Sequence, residues 1–283
     1  MGDRPGPVLV TGANSGIGLS STLRFADRGW DTWGTVRSAA KAEALVEAAS
    51  AAGVADRVHP LVLDVSDHDA VVDRWSELPD FYAVVNNAGY SELGAVEEVS
   101  AAEARRQLDV NLIAPAVVSS CALPAMRERG AGRIVMISSI AGRAAILPLN
   151  GWYHASKFGL EALSDVLRME VASFGVRVSV IEPGFFKTEI EQRAKTKAAE
   201  RESVGDSPYR NAYGRMQQVA ELVTTLAPPP GIVARTIVSA VESSRPRQRY
   251  LVGADALGIA VTNPLVPRQV SDRLARLIAD LRR

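Results

Sequence analysis

The sequence predicts an α/β fold in which a mostly parallel, doubly wound sheet of seven strands carries helices on both faces. Short apolar runs alternate with longer helical patterns through the first two-thirds of the chain, as in right-handed βαβ units. The apolar runs are continuous, which is typical of a parallel sheet buried on both faces. A glycine-rich turn joins the first strand to the first helix, and this arrangement is typical of a Rossmann nucleotide-binding domain.

Strands are predicted at the apolar runs, which span residues 8–11, 31–36, 58–63, 81–85, 133–137, 176–181 and 249–252. The first helix begins at the glycine turn and ends before Gly29, and later helices are predicted over 38–52, 66–78, 100–129, 153–174, 189–203, 231–244 and 270–281. Ser66 with Asp69 marks one helix start. Ser100 with Glu103 has the pattern of a capping box at another. Because no linker or repeat divides the chain, residues 1–283 are interpreted as one domain, with a lid segment at about 185–230.

Composition and charge exclude several classes of protein. The 283 residues are 47% apolar and 23% charged, with 32 basic and 32 acidic side chains, so no charge excess favours nucleic acid. The single cysteine, Cys121, cannot form an intramolecular disulfide, and a reducing cytoplasm is expected. No apolar run approaches the length of a membrane span, so we expect no membrane partner. His59, His68 and His154 lie far apart without metal-ligand spacing, so we expect no metal site.

The turn after the first strand reads Thr-Gly-Ala-Asn-Ser-Gly-Ile-Gly over residues 11–18. Gly12 permits the tight turn, Gly16 lets the backbone approach a pyrophosphate, and Gly18 lets the helix pack closely on the strand. The helix N-terminus offers N–H groups and the positive end of its dipole to phosphates. The predicted phosphate contacts also include Asn14, Ser15 and Ile17. A glycine turn that binds no ligand is the alternative.

Polar residues follow the later strands, where ligands bind in doubly wound sheets. Residues 86–89 read Asn-Asn-Ala-Gly, residues 138–139 read Ser-Ser, and residues 183–184 read Pro-Gly. Tyr153 and Lys157 are four residues apart, so they share one face of a helix. In this order and spacing, the motifs resemble those of the short-chain dehydrogenase/reductase family, and the match covers roughly residues 7–190.

This resemblance implies a catalytic role for Tyr153. In the family, a tyrosine exchanges a proton with the substrate oxygen while a nicotinamide exchanges hydride with the substrate carbon. A phenol has a reference pKa of about 10, which is too high for a base at neutral pH. A lysine cation at about 5 Å lowers that pKa by roughly two units, and Lys157 is spaced to do so. Without the other motifs, the two residues would be an ordinary helix-surface pair.

The resemblance implies roles for further residues. Ser139 would donate a hydrogen bond to the substrate oxygen. Asn111 would hold a water in a proton relay through Lys157, whereas its alternative role is that of a polar residue in a bent helix. Lys157 would also bind the nicotinamide ribose. Cofactor contacts are further implied for Asp64, Val65, Asn86, Asn87, Ala88, Gly89, Tyr153, Pro183, Gly184 and Thr188.

The residues at the end of the second strand indicate which nicotinamide is bound. An NAD site needs a carboxylate about 20 residues after the glycines to hold the ribose 2′-hydroxyl. Here residues 35–38 read Thr-Val-Arg-Ser, with no acid. Arg37 offers a planar cation to a 2′-phosphate, and Ser38 adds a hydroxyl. NADP(H) is therefore favoured over NAD(H), and a solvated surface arginine is the alternative.

The sequence thus predicts an NADP(H)-dependent oxidoreductase that interconverts a hydroxyl and a carbonyl on a small molecule. Apolar residues at 143–152 and from Phe185 onward, with Tyr209, Tyr213 and Met216, favour a lipophilic substrate, although the same residues could simply pack as core. Residues 35–37 resemble those of hydroxysteroid and retinol dehydrogenases, which implies a steroid, a retinoid or another hydrophobic carbonyl. Reduction of a small ketone or of an acyl-carrier-linked substrate is the alternative. The alternatives are a non-catalytic NADP(H)-binding sensor and a dehydratase or epimerase of the same family. Relatives often pair through the helices at 101–129 and 153–174, so a homo-dimer or homo-tetramer is expected. An apolar stripe at Leu160, Leu163, Leu167 and Val171 is one candidate contact, and packing on the sheet alone is its alternative role.

Overall fold

A computed structural model describes residues 5–203 and 206–281, apart from the side chains of residues 189–195. Within these residues, seven strands form one sheet in the order β3-β2-β1-β4-β5-β6-β7, and every neighbouring pair is parallel. The strands are β1 (Val8–Val10), β2 (Thr32–Val36), β3 (Val58–Val62), β4 (Ala83–Asn86), β5 (Gly132–Ile137), β6 (Val176–Pro183) and β7 (Arg249–Val252). The predicted fold class is confirmed.

Helices connect the strands and continue beyond the last one. They are α1 (Gly16–Asp27), α2 (Ala39–Ala51), α3 (His68–Trp75), α4 (Ala101–Leu108), α5 (Ala114–Arg129), α6 (Gly151–Val171), α7 (Glu189–Ser203), α8 (Arg210–Leu226), α9 (Gly231–Glu242), α10 (Ala254–Thr262) and α11 (Arg268–Ile278). No strand separates α7, α8 and α9 in the described part of the chain, which confirms that the βα alternation ends after β6.

The core lies on both faces of the sheet. Leu9 and Val84 pack into one cluster with residues of α5 and α6. Val8, Val10 and Val85 pack into a second cluster with residues of α1 and α9. Successive strand residues point to opposite faces, so a sheet covered on both sides requires apolar residues at every position. This requirement explains the continuous apolar runs in the sequence.

One local prediction, the start of the third helix, is corrected by side-chain hydrogen bonds. The third helix was expected to begin at Ser66, but α3 begins at His68 and is capped by Asp67, which accepts a bond from the Ala70 N–H. Ser66 is engaged elsewhere, because its hydroxyl donates to Asp64. The apolar stripe on α6 belongs to the core, where Leu160 and Val171 are buried and Leu163 and Leu167 pack against them.

The predicted helix over 100–129 contains an interruption. Its N-terminus has the expected capping box between Ser100 and Glu103, but a π-helical turn at Asp109–Ile113 separates α4 from α5. By length and composition alone, Ala101–Arg129 is also long and apolar enough to cross a membrane, contrary to the expectation that no run comes close. In the structure α5 packs against β4, β5 and α3, as a core helix does.

Candidate active site

The glycine turn lies at the carboxyl end of β1, where the order of the sheet reverses between β1 and β4. Gly12 and Gly16 have φ of +66° and +53°, a left-handed conformation that favours glycine. A Cβ on Gly18 would lie 2.1 Å from the Gly12 carbonyl oxygen, so only glycine allows α1 to approach β1 this closely. The cavity wall includes Gly12, Asn14, Ser15, Gly16 and Ile17.

Side chains from neighbouring strands hold this turn. The Thr35 hydroxyl accepts a bond of 3.1 Å from the Gly12 N–H. The Thr11 hydroxyl accepts bonds of 2.9 Å from the N–H groups of Asn87 and Ala88. The Asn87 amide donates in return to the carbonyls of Thr11 and Gly12. The turn and the loop after β4 therefore form one rigid wall of the cavity.

One end of the cavity carries two cations. Arg37 and Lys41 line it at the carboxyl end of β2 and the start of α2, together with Asp64, Val65 and Ser66. The Asp64 carboxylate accepts bonds from both the N–H and the hydroxyl of Ser66, so it is held by its own loop. Lys41 was not among the residues predicted from the sequence. Its spacing four residues after Arg37, just inside a helix start, was the available signal.

Three of the predicted cofactor residues lie away from the cavity wall. Gly18 packs against the glycine turn. Ser38 is exposed at the N-cap of α2. Asn86 is buried on the other face of the sheet, where its amide donates to Ser119 and contacts the sulfur of Met136. Because strand residues alternate in direction, the motif directs only one of its two asparagines toward the turn.

Tyr153, Ser139 and Lys157 line the same cavity. The Lys157 Nζ donates to the Ile137 carbonyl at 2.8 Å and lies 5.7 Å from the centre of the Tyr153 ring. Burial lowers the pKa of Lys157 to about 8, and the nearby Glu161 carboxylate opposes part of that effect. The lysine therefore remains mostly cationic at neutral pH.

Asn111 lies in the π-helical turn and is fully buried. Its amide donates to the Tyr90 carbonyl at 2.9 Å and to the Ser156 hydroxyl at 3.1 Å, and its oxygen accepts from the Tyr90 N–H at 3.1 Å. Asn111 does not line the cavity, whereas its neighbour Val110 does. The structure therefore shows Asn111 fixing the loop after β4, and its role in a water relay stays a prediction.

The end of β6 and the segment after it form another part of the cavity wall. Pro183, Gly184 and Thr188 line the cavity. Asp255 at the start of α10 accepts a bond of 2.7 Å from the Phe185 N–H. A Cβ on Gly184 would lie 2.1 Å from the same carboxylate. Asp255 was not predicted from the sequence, because no residue near Pro183 and Gly184 indicates that α10 packs against them.

Although Ser91, Asn150 and His154 also line the cavity, its far end is mainly apolar. It is lined by Leu93, Ile146, Leu147, Phe185, Phe186, Ala198, Met216, Val219, Ala220 and Val223. Of the three residues expected from α8 and the turn before it, only Met216 contributes to this wall. The Tyr213 hydroxyl instead bonds Glu98 and the Ala95 N–H, and burial raises the pKa of Tyr213 to about 12. Tyr209 bonds Glu97.

In the described residues, no cluster of three or more His, Cys, Asp or Glu could hold a metal.

Known proteins resemble this chain over most of its length. The family profile described as short chain dehydrogenase matches residues 7–199. Retinol dehydrogenase 5 of Homo sapiens is 32% identical, over 94% of this chain and 86% of its own. The NADPH-dependent 3-dehydrocapnine reductase of Ornithobacterium rhinotracheale is 30% identical, over 94% of each chain. The solved structure of a short-chain dehydrogenase from Streptomyces avermitilis has a TM-score of 0.77 and 28% identity, and the match covers 98% of this chain and 97% of that one.

Proposed function

The chain belongs to the short-chain dehydrogenase/reductase family of oxidoreductases, as its motifs predicted. On this premise we propose that it interconverts a hydroxyl and a carbonyl on a lipophilic small molecule, with NADP(H) as cofactor. The observation that carries the proposal is one continuous cavity. Its wall runs from Arg37 past the glycine turn to Tyr153 and on to the apolar end formed by α8.

The residues present fit a bound dinucleotide. The turn at Gly12 and Gly16 brings backbone within reach of a pyrophosphate, and Ser15 makes no side-chain bond to the N-terminus of α1. Arg37 and Lys41 line the cavity next to β2 and would hold a ribose 2′-phosphate, and the sequence has no carboxylate at the end of β2. One relative is named as NADPH-dependent. These features support NADP(H) over NAD(H).

The proposed chemistry needs one proton and one hydride. Tyr153 exchanges the proton with the substrate oxygen, and the Lys157 cation stabilises the phenolate that forms. The Ser139 hydroxyl accepts a bond from the Ala141 N–H, which leaves its own hydrogen to donate to the substrate oxygen. When bound, the nicotinamide supplies or accepts the hydride.

The apolar end of the cavity supports a lipophilic substrate. Met216, Val219, Ala220 and Val223 recur along one face of α8 and line it together. The lid segment at 185–230 includes this helix, and its movement would admit substrate. A homo-oligomer that contacts through α4 to α6, in the cytoplasm, remains part of the proposal. Exposed apolar residues available for that contact are Ile113, Phe158, Val166 and Met169.

A carbonyl panel tests this function. NADPH and NADH consumption is followed by fluorescence with long-chain, polycyclic and short polar aldehydes and ketones. We expect turnover with NADPH and apolar carbonyls, and slower turnover with NADH. Cofactor binding without turnover across the panel would favour the non-catalytic sensor. A changed substrate with no net change in the cofactor would favour the dehydratase or epimerase.

A further inference from the structure

The last helix exposes its apolar face. Val270, Leu274, Leu277 and Ile278 recur at helical spacing on α11, and we call these four residues the α11 apolar face. Their exposed fractions are 47, 53, 39 and 49%, and no residue within α11 is buried. A stripe of this kind normally packs on a core. Leu257, Val261 and Leu265, just before α11, are also exposed.

A different side of α11 faces the protein. Ser271 and Ala275 are half-buried, and Ala279, directly after the helix, is fully buried. These small residues are spaced four apart and lie beside the apolar face rather than within it. The helix is therefore attached through small side chains, and its large apolar side chains remain in solvent.

The polar flank of the helix is basic. Arg273 lies one turn from both Val270 and Leu277, and Arg276 follows on the same side. Both arginines are exposed. Asp272 lies on the opposite side of the helix from Leu274. Apolar residues bordered by arginines are the pattern of a helix that lies in a bilayer interface, with its cations at the lipid headgroups.

In place of the expectation that the chain has no membrane partner, we propose that α11 binds the surface of an anionic lipid bilayer, with its apolar face in the boundary between headgroups and acyl chains. With 11 residues, α11 is far too short to span a membrane, which takes about 20. The arginines favour an anionic bilayer over a second copy of the chain, because a second copy would bring the same cations to the contact.

The position of α11 connects this surface to the cavity. Ala279 packs in one cluster with Tyr213, Met216 and Ala198, and the last two of these line the apolar end of the cavity. If the proposed function holds, a lipophilic substrate would enter from the bilayer beside the lid. Bilayer binding itself does not depend on that function.

Vesicle flotation tests the proposal on the full chain. Vesicles of phosphatidylcholine alone are compared with vesicles that also contain phosphatidylserine. We expect binding to the anionic vesicles, weakened by salt. The double variant L274Q/L277Q should lower apparent vesicle affinity at least about tenfold. The variant R273Q/R276Q should lower it by roughly fivefold per arginine on anionic vesicles and much less on neutral ones.

A matched control removes two exposed valines elsewhere. V46Q/V72Q alters α2 and α3, and it should float like the unmodified protein. NADPH should raise the melting temperature by the same amount in all variants. This measurement reports on the proposed function separately from flotation, which reports on vesicle binding. Absence of flotation with anionic vesicles overturns the proposal, as does flotation that L274Q/L277Q leaves unchanged. The proposal is also overturned if the unmodified protein binds no vesicles but self-associates, and L274Q/L277Q abolishes that self-association. That result would assign the α11 apolar face to a contact with a second copy of the chain.

Discussion

The ammonium of Lys157 lies 2.8 Å from the carbonyl oxygen of Ile137, so α6 is tied to the carboxyl end of β5 two residues before Ser139. This bond crosses from helix to sheet and fixes the cation close to the Tyr153 ring. The lysine is 5% exposed, so its charge is held in a poorly solvated place. That burial has a measurable consequence for stability.

Stability should depend on pH through Lys157. Its pKa falls from 10.5 in the unfolded chain to about 8 in the folded one. Between those values the unfolded chain binds more protons, so stability rises with pH through this window. Relative to K157M, the unmodified protein should gain up to about 3 kcal/mol in free energy of unfolding between pH 7.5 and 10.5. Urea unfolding at a series of pH values measures the free energy of unfolding of both proteins. If that free energy has the same pH dependence in both, Lys157 does not have the lowered pKa of a buried cation.

Removing the Tyr153 hydroxyl should separate chemistry from binding. Y153F deletes the proposed proton donor and leaves the ring in the cavity wall, so turnover should fall by at least about a hundredfold. The dissociation constant of NADPH should change by less than about twofold. Y90F is the matched control, because Tyr90 lines the same cavity without a proposed proton transfer. Comparable turnover in the two variants would remove Tyr153 from the mechanism.

Arg37 and Lys41 should set the preference for NADPH. Because a charged hydrogen bond to the 2′-phosphate is lost, R37A and K41A should each weaken NADPH binding by roughly ten- to a hundredfold. NADH binding should change little. Fluorescence titration with both nucleotides measures the ratio, with R74A on α3 as a surface control. If a variant loses affinity for NADPH and NADH equally, the substituted residue does not contact the 2′-phosphate.

Gly184 and Asp255 should behave as a coupled pair. In G184A the new Cβ meets the Asp255 carboxylate, which the Phe185 N–H holds in place, so unfolding free energy should fall by about 1–3 kcal/mol. D255A should lower the free energy of unfolding by less than G184A does. The loss in the double variant should be smaller than the sum of the two single losses, because the clash needs both side chains. G231A is the control, because a Cβ there meets nothing within 4 Å. Additive losses would contradict the contact.

Sequence patterns were sufficient for the sheet and for most of the cavity wall. Continuous apolar runs identified all seven strands, because a strand buried on both faces tolerates few polar residues. Gly12 and Gly16 were identifiable because left-handed backbone favours glycine, and the structure has both in that conformation. The capping box at Ser100 is local too, since its two partners lie three residues apart.

Residues that depend on distant contacts were not predictable. Asp255 meets the cavity wall only because α10 brings its carboxylate to the Phe185 N–H, 70 residues earlier in the chain. Asn86 was assigned to the cofactor on its motif, but the direction of its side chain depends on which sheet face its strand presents. The π-helical turn at Asn111 arises where its amide meets the Tyr90 backbone and Ser156.

By itself, the sequence determined the seven strands along the chain, the glycine turn and the four-residue spacing of Tyr153 and Lys157, but it did not predict α8 or α10. These features follow from periodicity and backbone conformation, which act over a few residues. Only the tertiary structure decided which side chains line the cavity, how far burial lowers the pKa of Lys157, and that the α11 apolar face stays in solvent. Burial, hydrogen-bond partners and free surface are set by contacts between elements distant in sequence, and no local pattern encodes them.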